Sequence, residues 1–130
     1  MALSAKLSIQ GINETIDVIE CDFGFQQEAD YSGKPSARPS GGLLNLVIES
    51  TQLDSLVNWM ISSTEKKDGE ISFFRKENES SFKKVSFKEG VCISYHESFN
   101  SYNDFPMTTA ITISSREVKI GMATAFKQIW

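Results

Sequence analysis

The sequence predicts a mainly β fold, either an antiparallel β-barrel or two packed sheets, with one α-helix at about residues 52–62. Apolar residues alternate with period 2 in runs at short intervals, turn residues separate the runs, and a single segment has helical spacing. A chain of 130 residues, 40% of them hydrophobic, is long enough to bury one core. We therefore expect one domain over residues 1–130.

The first two strands flank a turn at Gly11. Apolar residues alternate from Leu3 to Ile9, which predicts a strand with one apolar face. A second strand is predicted at about residues 15–27. Its apolar pattern changes phase between Val18 and Ile19, and such a change is typical of a β-bulge or of a strand that crosses between sheets.

Residues 28–40 form the longest segment without periodicity. The segment contains two prolines, Gly33, small residues and charges of both signs, so it is predicted to be a loop. A loop of this length in a compact domain often has a function. The alternative is a disordered surface connection.

A strand follows the glycine pair Gly41 and Gly42. The run from Leu43 to Ile48 is rich in branched residues and is too short to span a membrane. Its apolar residues lie on both faces. We expect both faces to be covered, either by the chain's own fold or by a neighbouring copy.

The helix is predicted from a start signal and an apolar stripe. Thr51 and Asp54 have the spacing of a capping box, although that motif prefers Glu or Gln at its fourth position. Trp59 is placed on the flank of the stripe. The stripe itself, which is expected to pack on a sheet, consists of Leu53, Leu56, Val57, Met60 and Ile61.

The second half of the chain reads as strands joined by turns. Turns are predicted at residues 67–69 and at Glu89–Gly90, with strands over residues 70–75, 82–87 and 91–97. A loop at residues 100–106 precedes a strand from Met107 to Ile120. With the one helix inserted among them, these strands favour an antiparallel barrel or sandwich.

Charge and patterning exclude several functions. A net charge of −4 and a pI near 5.0 provide no basic field for a nucleic acid. The alternating N-terminal segment is not a secretory signal, so synthesis in the cytoplasm is expected. No membrane insertion is expected either.

The residues that carry chemistry are few. His96 is the only histidine, and the nearby Ser94 and Ser98 do not complete a nucleophilic site. Cys21 and Cys92 lie in predicted strands and are interpreted as packed, reduced thiols. One histidine and two separated cysteines do not form a metal site, and no phosphate-binding loop is present. We expect no enzyme activity, metal or cofactor.

Extensive apolar strand faces, a long loop and strand edges that need covering together favour self-assembly. The chain also resembles a known family, the TssD (Hcp-like) tube proteins of type VI secretion systems, in their short divergent branch. The resemblance rests on an ordered series of segments: Cys21–Gln27, Gly33–Gly42, Val47–Ser50, Trp59–Met60, Lys67–Gly69 and Ile113–Glu117.

This resemblance implies a β-barrel with one helix that assembles as a hexameric ring, and rings that stack into the inner tube of a contractile machine. Its implied partners are contractile sheath proteins, a VgrG-like spike and secreted effectors, and the protein leaves the cell without a signal peptide. The segment Glu28–Ser40 matches the family segment that touches the adjacent ring. The candidate stacking residues are Tyr31, Gly33, Lys34, Pro35 and Arg38.

The sequence leaves two other hypotheses open. The first is a monomeric barrel that binds a small ligand, which requires an unfilled apolar interior. The plentiful phenylalanines indicate instead that the interior is filled. The second is an enzyme centred on His96, which would lose its activity on substitution of that residue.

Overall fold

Six antiparallel strands close into a barrel in the computed structural model, which describes residues 2–52 and 54–128. The neighbours around the barrel are β1–β2–β3–β6–β5–β4, and pairing of β4 with β1 completes the circle. The predicted mainly β fold is confirmed. The elements are β1 (Leu3–Ile9), β2 (Ile16–Phe23), β3 (Leu43–Glu49), α1 (Ser55–Ile61), β4 (Lys67–Arg75), β5 (Ser81–Phe99), β6 (Met107–Ile120) and β7 (Phe126–Lys127).

The barrel interior is filled by side chains that alternate along each strand. In β3, Leu44 and Ile48 are fully buried while Leu43 on the outer face is 46% exposed. Phe87 and Trp59 supply the largest buried volumes. Small barrels are normally filled in this way, and the packing disfavours the hypothesis of a ligand-binding interior. The fully buried aliphatic residues are Leu7, Leu44, Leu46, Ile48, Ile71, Val85, Ile111, Ile113 and Val118.

The phase change in the second strand coincides with a register shift, which favours the first of the two predicted alternatives, a β-bulge. The pairing between β2 and β3 shifts register between Val18 and Glu20. Val18 packs against the core before the bulge, and Cys21 and Phe23 do so after it. The extra residue thus returns the apolar side chains to the interior.

The prediction of two strands separated by a turn at Glu89–Gly90 is wrong, because β5 runs without interruption from Ser81 to Phe99. Glu89 has a φ of 52°, which bends the strand without ending it. A Cβ at Gly90 would lie 3.0 Å from Ile113 and 3.1 Å from Phe87, so a larger residue would require these two side chains to shift. Residues 67–69, also predicted as a turn, begin β4.

The helix is shorter than predicted and is turned about its axis. It covers residues 55–61, with Asp54 as its N-cap, instead of residues 52–62. Leu56 is buried as predicted, and Val57 and Met60 are partly buried. Leu53 lies outside the described residues.

Trp59 and Ile61 exchange the places that the stripe predicted for them. Trp59 is fully buried and donates its indole N–H to the Glu65 carbonyl at 3.0 Å, whereas Ile61 is 76% exposed. Because Trp59 and Ile61 are two residues apart on a helix, their side chains point about 160° away from each other. Because the indole offers more apolar surface and its N–H finds an acceptor, the helix buries Trp59 and exposes Ile61.

Candidate assembly surfaces

The predicted loop is an ordered protrusion, here called the arm and defined as residues 24–40. Every residue of the arm is exposed. At its base, Gln26 and Ser40 exchange two backbone hydrogen bonds of 2.9 and 2.7 Å. Further out, the Ser36 N–H donates to the Glu28 carbonyl at 2.8 Å. The arm is therefore a narrow two-stranded projection, and the interpretation as a disordered connection is wrong.

Asp30 fixes the tip of the arm. One oxygen of its carboxylate accepts hydrogen bonds from the Ser32 hydroxyl at 2.6 Å, the Ser32 N–H at 2.9 Å and the Lys34 N–H at 3.1 Å. Gly33 supplies the left-handed residue of the turn, with a φ of 87°. The hydrogen bond from the Ser32 hydroxyl, followed by those from the backbone, lowers the pKa of the Asp30 carboxyl.

The structure places four of the five predicted stacking residues at the outer end of the arm, and the fifth, Arg38, nearer its base between Ser36 and Ser40. Tyr31, whose side chain is completely exposed, and Gly33 form the turn. Pro35 forms an isolated β-bridge with Ala29. Whether these residues contact a neighbouring ring stays a prediction. The five residues are Tyr31, Gly33, Lys34, Pro35 and Arg38.

The base of the arm rests on the C-terminal segment, which sequence reasoning did not connect with it. The rings of Phe25 and Phe126 lie 5.0 Å apart at 48°. The Gln128 side-chain amide donates to the Ser115 carbonyl, and the Ser115 N–H donates to the Gly42 carbonyl at 2.8 Å. The glycine pair before β3 was the sequence signal for this contact, since a Cβ at Gly42 would overlap the Gln128 amide.

Two strands leave the barrel in part and expose backbone edges. Beyond Val18, β2 pairs with β3 through residues 20–23, while β1 diverges from it. Beyond Gly90, β5 pairs with β6 through residues 91–99. Within residues 2–52 and 54–128, no further strand pairs with either stretch. Such edges present free N–H and C=O groups to another chain.

A concave groove marks the divergence of β1 and β2. It has a volume of about 720 Å³ and is lined by polar and apolar side chains in similar amounts, the apolar ones including Leu3, Phe74 and Phe105 from the β5–β6 connection. Lys6 and Asp17, also in the lining, form an ion pair of 3.1 Å. The groove lies beside the free edge of β2.

The remaining reactive side chains are not assembled into a site. Burial, together with the charge of Asp22, raises the pKa of the Cys21 thiol to about 11, and burial also raises the pKa of Cys92. Both thiols are free, as predicted, and their raised pKa values make them poor nucleophiles. His96 lies on an exposed part of β5. Across the described ranges, no three His, Cys, Asp or Glu residues are grouped to hold a metal ion.

Tyr95 lies in a polar cluster at the end of β3. Its hydroxyl donates to Glu97, which also accepts from the Ser50 hydroxyl at 3.3 Å, and Ser50 in turn contacts the Thr109 hydroxyl at 2.7 Å. Burial and the neighbouring Glu97 carboxylate raise the pKa of Tyr95 to about 12. This network ties the end of β3 to β5 and β6.

Among the described residues, no helix has the length and apolar character to cross a membrane.

Comparison with known proteins gives consistent matches. The family model of the hemolysin coregulated protein Hcp (TssD) matches residues 1–130. The structure of Hcp1 from Flavobacterium johnsoniae is similar with a TM-score of 0.88 and 29% sequence identity, covering 96% of this chain and 99% of that one. No curated protein sequence matches the chain significantly.

More distant solved structures share the fold. The crystal structure of Hcp1 from Salmonella typhimurium has a TM-score of 0.75 and 17% identity, covering 96% of this chain and 93% of that one. The secreted protein Hcp3 from Pseudomonas aeruginosa has a TM-score of 0.66 and 11% identity, with coverage of 99% and 100%. At these identities the likeness shows the fold alone.

Proposed function

We propose, from the premise that this chain belongs to the Hcp (TssD) family of type VI secretion tube proteins, that it is a structural subunit that assembles into stacked hexameric rings. The observation that carries the proposal is the pair of free strand edges, at residues 20–23 of β2 and 91–99 of β5. An edge of one copy that pairs with a different edge of the next forms a heterologous contact, and such contacts form a ring when the rotation between neighbouring copies closes. Ring closure leaves neither edge exposed.

The arm supports stacking of these rings. It projects from the barrel with Tyr31 completely exposed, and its own hydrogen bonds hold its shape before any contact is made. A preorganised projection loses little conformational entropy on binding. In the proposed tube, the arm therefore contacts a copy in the adjacent ring.

The wider role follows from the family. We propose that the tube is surrounded by contractile sheath proteins, carries a VgrG-like spike and is propelled out of the cell. In this role the protein is exported by the type VI secretion machine itself, and secreted effectors occupy the lumen. The protein acts by assembly and not by catalysis, consistent with the raised thiol pKa values and the solitary His96.

Solution mass tests the ring directly. We expect light scattering to give about six times the 14.5 kDa mass of the chain, and negative-stain microscopy to show annuli. Glu97 pairs with Thr109 without backbone hydrogen bonds, so its N–H points to the free edge of β5. Replacing Glu97 with proline removes that N–H and should shift the mass towards the single chain. Proline at Ser36, in the arm, is the matched control and should leave rings intact. A monomer at every concentration would refute the proposed function.

A further inference from the structure

A second protruding segment shares only its first four residues, 96–99, with the β5 edge that is proposed to close the ring. Residues 96–107, here called the aromatic hairpin, comprise the end of β5, the connection to β6 and its first residue, and every residue in them is exposed. Phe99 and Tyr102 are 70% and 96% exposed, and Phe105 and Met107 are 40% and 45% exposed. Adjacent exposed apolar side chains of this kind mark an interaction surface.

The aromatic hairpin is ordered by its own hydrogen bonds. Phe99 pairs with Met107 at the end of the β5–β6 ladder, and the Asn100 N–H donates to the Pro106 carbonyl at 2.7 Å. The Asn100 side chain accepts from the Tyr102 N–H at 3.0 Å. The exposed aromatic rings are thus presented on a fixed backbone.

The arm and the aromatic hairpin lie at opposite ends of the same strand pair. Leu43, which follows the arm, pairs with Ser114, whereas Glu49 at the other end of β3 pairs with Thr108 beside the hairpin. Six residue steps separate the two ends, about 20 Å along the strands. Stacking in one direction brings one end of a subunit against the opposite end of another.

The hairpin is acidic, and the arm has two cations without an ion-pair partner among the described residues. The hairpin contains the carboxylates of Glu97 and Asp104 and no lysine or arginine. The arm carries Lys34 and Arg38, and neither forms an ion pair with any residue that the structure describes. The arm also carries the carboxylates of Glu28 and Asp30, and that of Asp30 already accepts the hydrogen bonds of the tip.

We propose that the aromatic hairpin of one copy receives the arm of a copy in the adjacent ring. Tyr31 packs on the exposed rings of Phe99 and Tyr102, and Arg38 faces Asp104. The inference rests on the proposed function, which requires stacking but does not say where the arm binds. Because arm and hairpin are different surfaces, each new ring presents a fresh arm, and the stack continues without limit.

Charge reversal tests the pairing. Arg38→Glu and Asp104→Arg should each reduce the fraction of stacked rings at least about tenfold. One exposed ion pair is weak, but the same pair is repeated around every ring, so its effect is multiplied. Combining both changes in one chain should restore stacks to within about twofold of the unmodified protein. Lys88→Glu, which makes the same charge change outside both surfaces, is the control. Single reversals without effect, or a double variant that stays unstacked, would overturn the proposal.

Disulfide trapping gives an independent result. A mixture of Arg38→Cys chains and Asp104→Cys chains should form a cross-linked pair under mild oxidation, and either chain alone should not exceed the background from Cys21 and Cys92. Stacks without this cross-link would overturn the role of the hairpin and leave the proposed function standing. A chain that forms no rings would refute the proposed function itself.

Discussion

The Phe25 ring at the base of the arm lies 5.0 Å from the Phe126 ring of the C-terminal strand, at an interplanar angle of 48°. This contact joins the most exposed segment of the chain to the barrel through a strand of only two residues. A Cβ at Gly41 would overlap the Phe25 ring, so the glycine leaves room for the aromatic pair. The orientation of the arm thus depends on residues about a hundred positions away in the sequence.

Removing the aromatic contact should loosen the arm without unfolding the barrel. In Phe126→Ala, the Gln26 and Ser40 amides should exchange with solvent about 2- to 10-fold faster, since an aromatic pair contributes about 0.5–1.5 kcal/mol. Hydrogen-exchange mass spectrometry of peptides that cover the arm measures the change. Lys127→Ala alters an exposed neighbour in the same strand and should leave the exchange unchanged. Equal protection in both variants would show that the contact does not hold the arm.

Ser115 is fully buried, and among residues 2–52 and 54–128 its hydroxyl has no hydrogen-bond partner. A buried unpaired hydroxyl costs about 1–3 kcal/mol. Ser115→Ala should therefore leave the free energy of unfolding unchanged or raise it by about 1 kcal/mol, because both backbone hydrogen bonds of the residue remain.

Thr109 is the matched control for this substitution. It is also buried, but its hydroxyl lies 2.7 Å from the Ser50 hydroxyl, so Thr109→Val should lower the free energy of unfolding by about 1 kcal/mol. Denaturant unfolding of both variants measures the difference. A clear loss of stability in Ser115→Ala would indicate that the hydroxyl has a partner.

Most of the barrel could be predicted from local patterns, because alternation in a strand reports directly which face is buried. The strand from Met107 to Ile120 was predicted with its observed bounds, and the register shift after Val18 followed from a change of phase. The prediction of a turn at Glu89–Gly90 was wrong because the same residue types occur in a tight turn and in a bend within a strand. Pairing with β6 decides between the two, and it is a non-local property.

The candidate assembly surfaces were predictable to a smaller extent. The arm was recognised as a long segment without periodicity, but its order depends on Asp30 accepting hydrogen bonds within the turn. The contact between Phe25 and Phe126 joins residues that no local pattern relates. The buried face of α1 was predicted wrongly because apolar spacing alone favoured a stripe that includes Ile61. Packing on β5 selects Trp59 over Ile61.

The revised helix orientation makes a sharp prediction. Leu56→Asp places a carboxylate at a position only 3% exposed and should cost at least about 4 kcal/mol, a large part of the stability of a small domain. Ile61→Asp makes the same chemical change on the exposed side of the same helix and should alter the free energy of unfolding by no more than about 0.5 kcal/mol. Thermal melts by circular dichroism measure both. Comparable losses in the two variants would contradict the observed face.

The tip of the arm should respond to acid through Asp30. Its folded-state pKa lies below the usual value of 3.8, so its hydrogen bonds stabilise the tip above that pH and are lost as the pH falls through the lowered pKa. The amide proton signals of Ser32 and Lys34 in an NMR titration from neutral pH to below 3.8 should report the loss. Asp30→Asn retains an acceptor oxygen but has no proton to gain, so its tip amides should show no such transition. A transition that persists in Asp30→Asn would assign the acid response to another group, and the turn would then not depend on the Asp30 carboxylate.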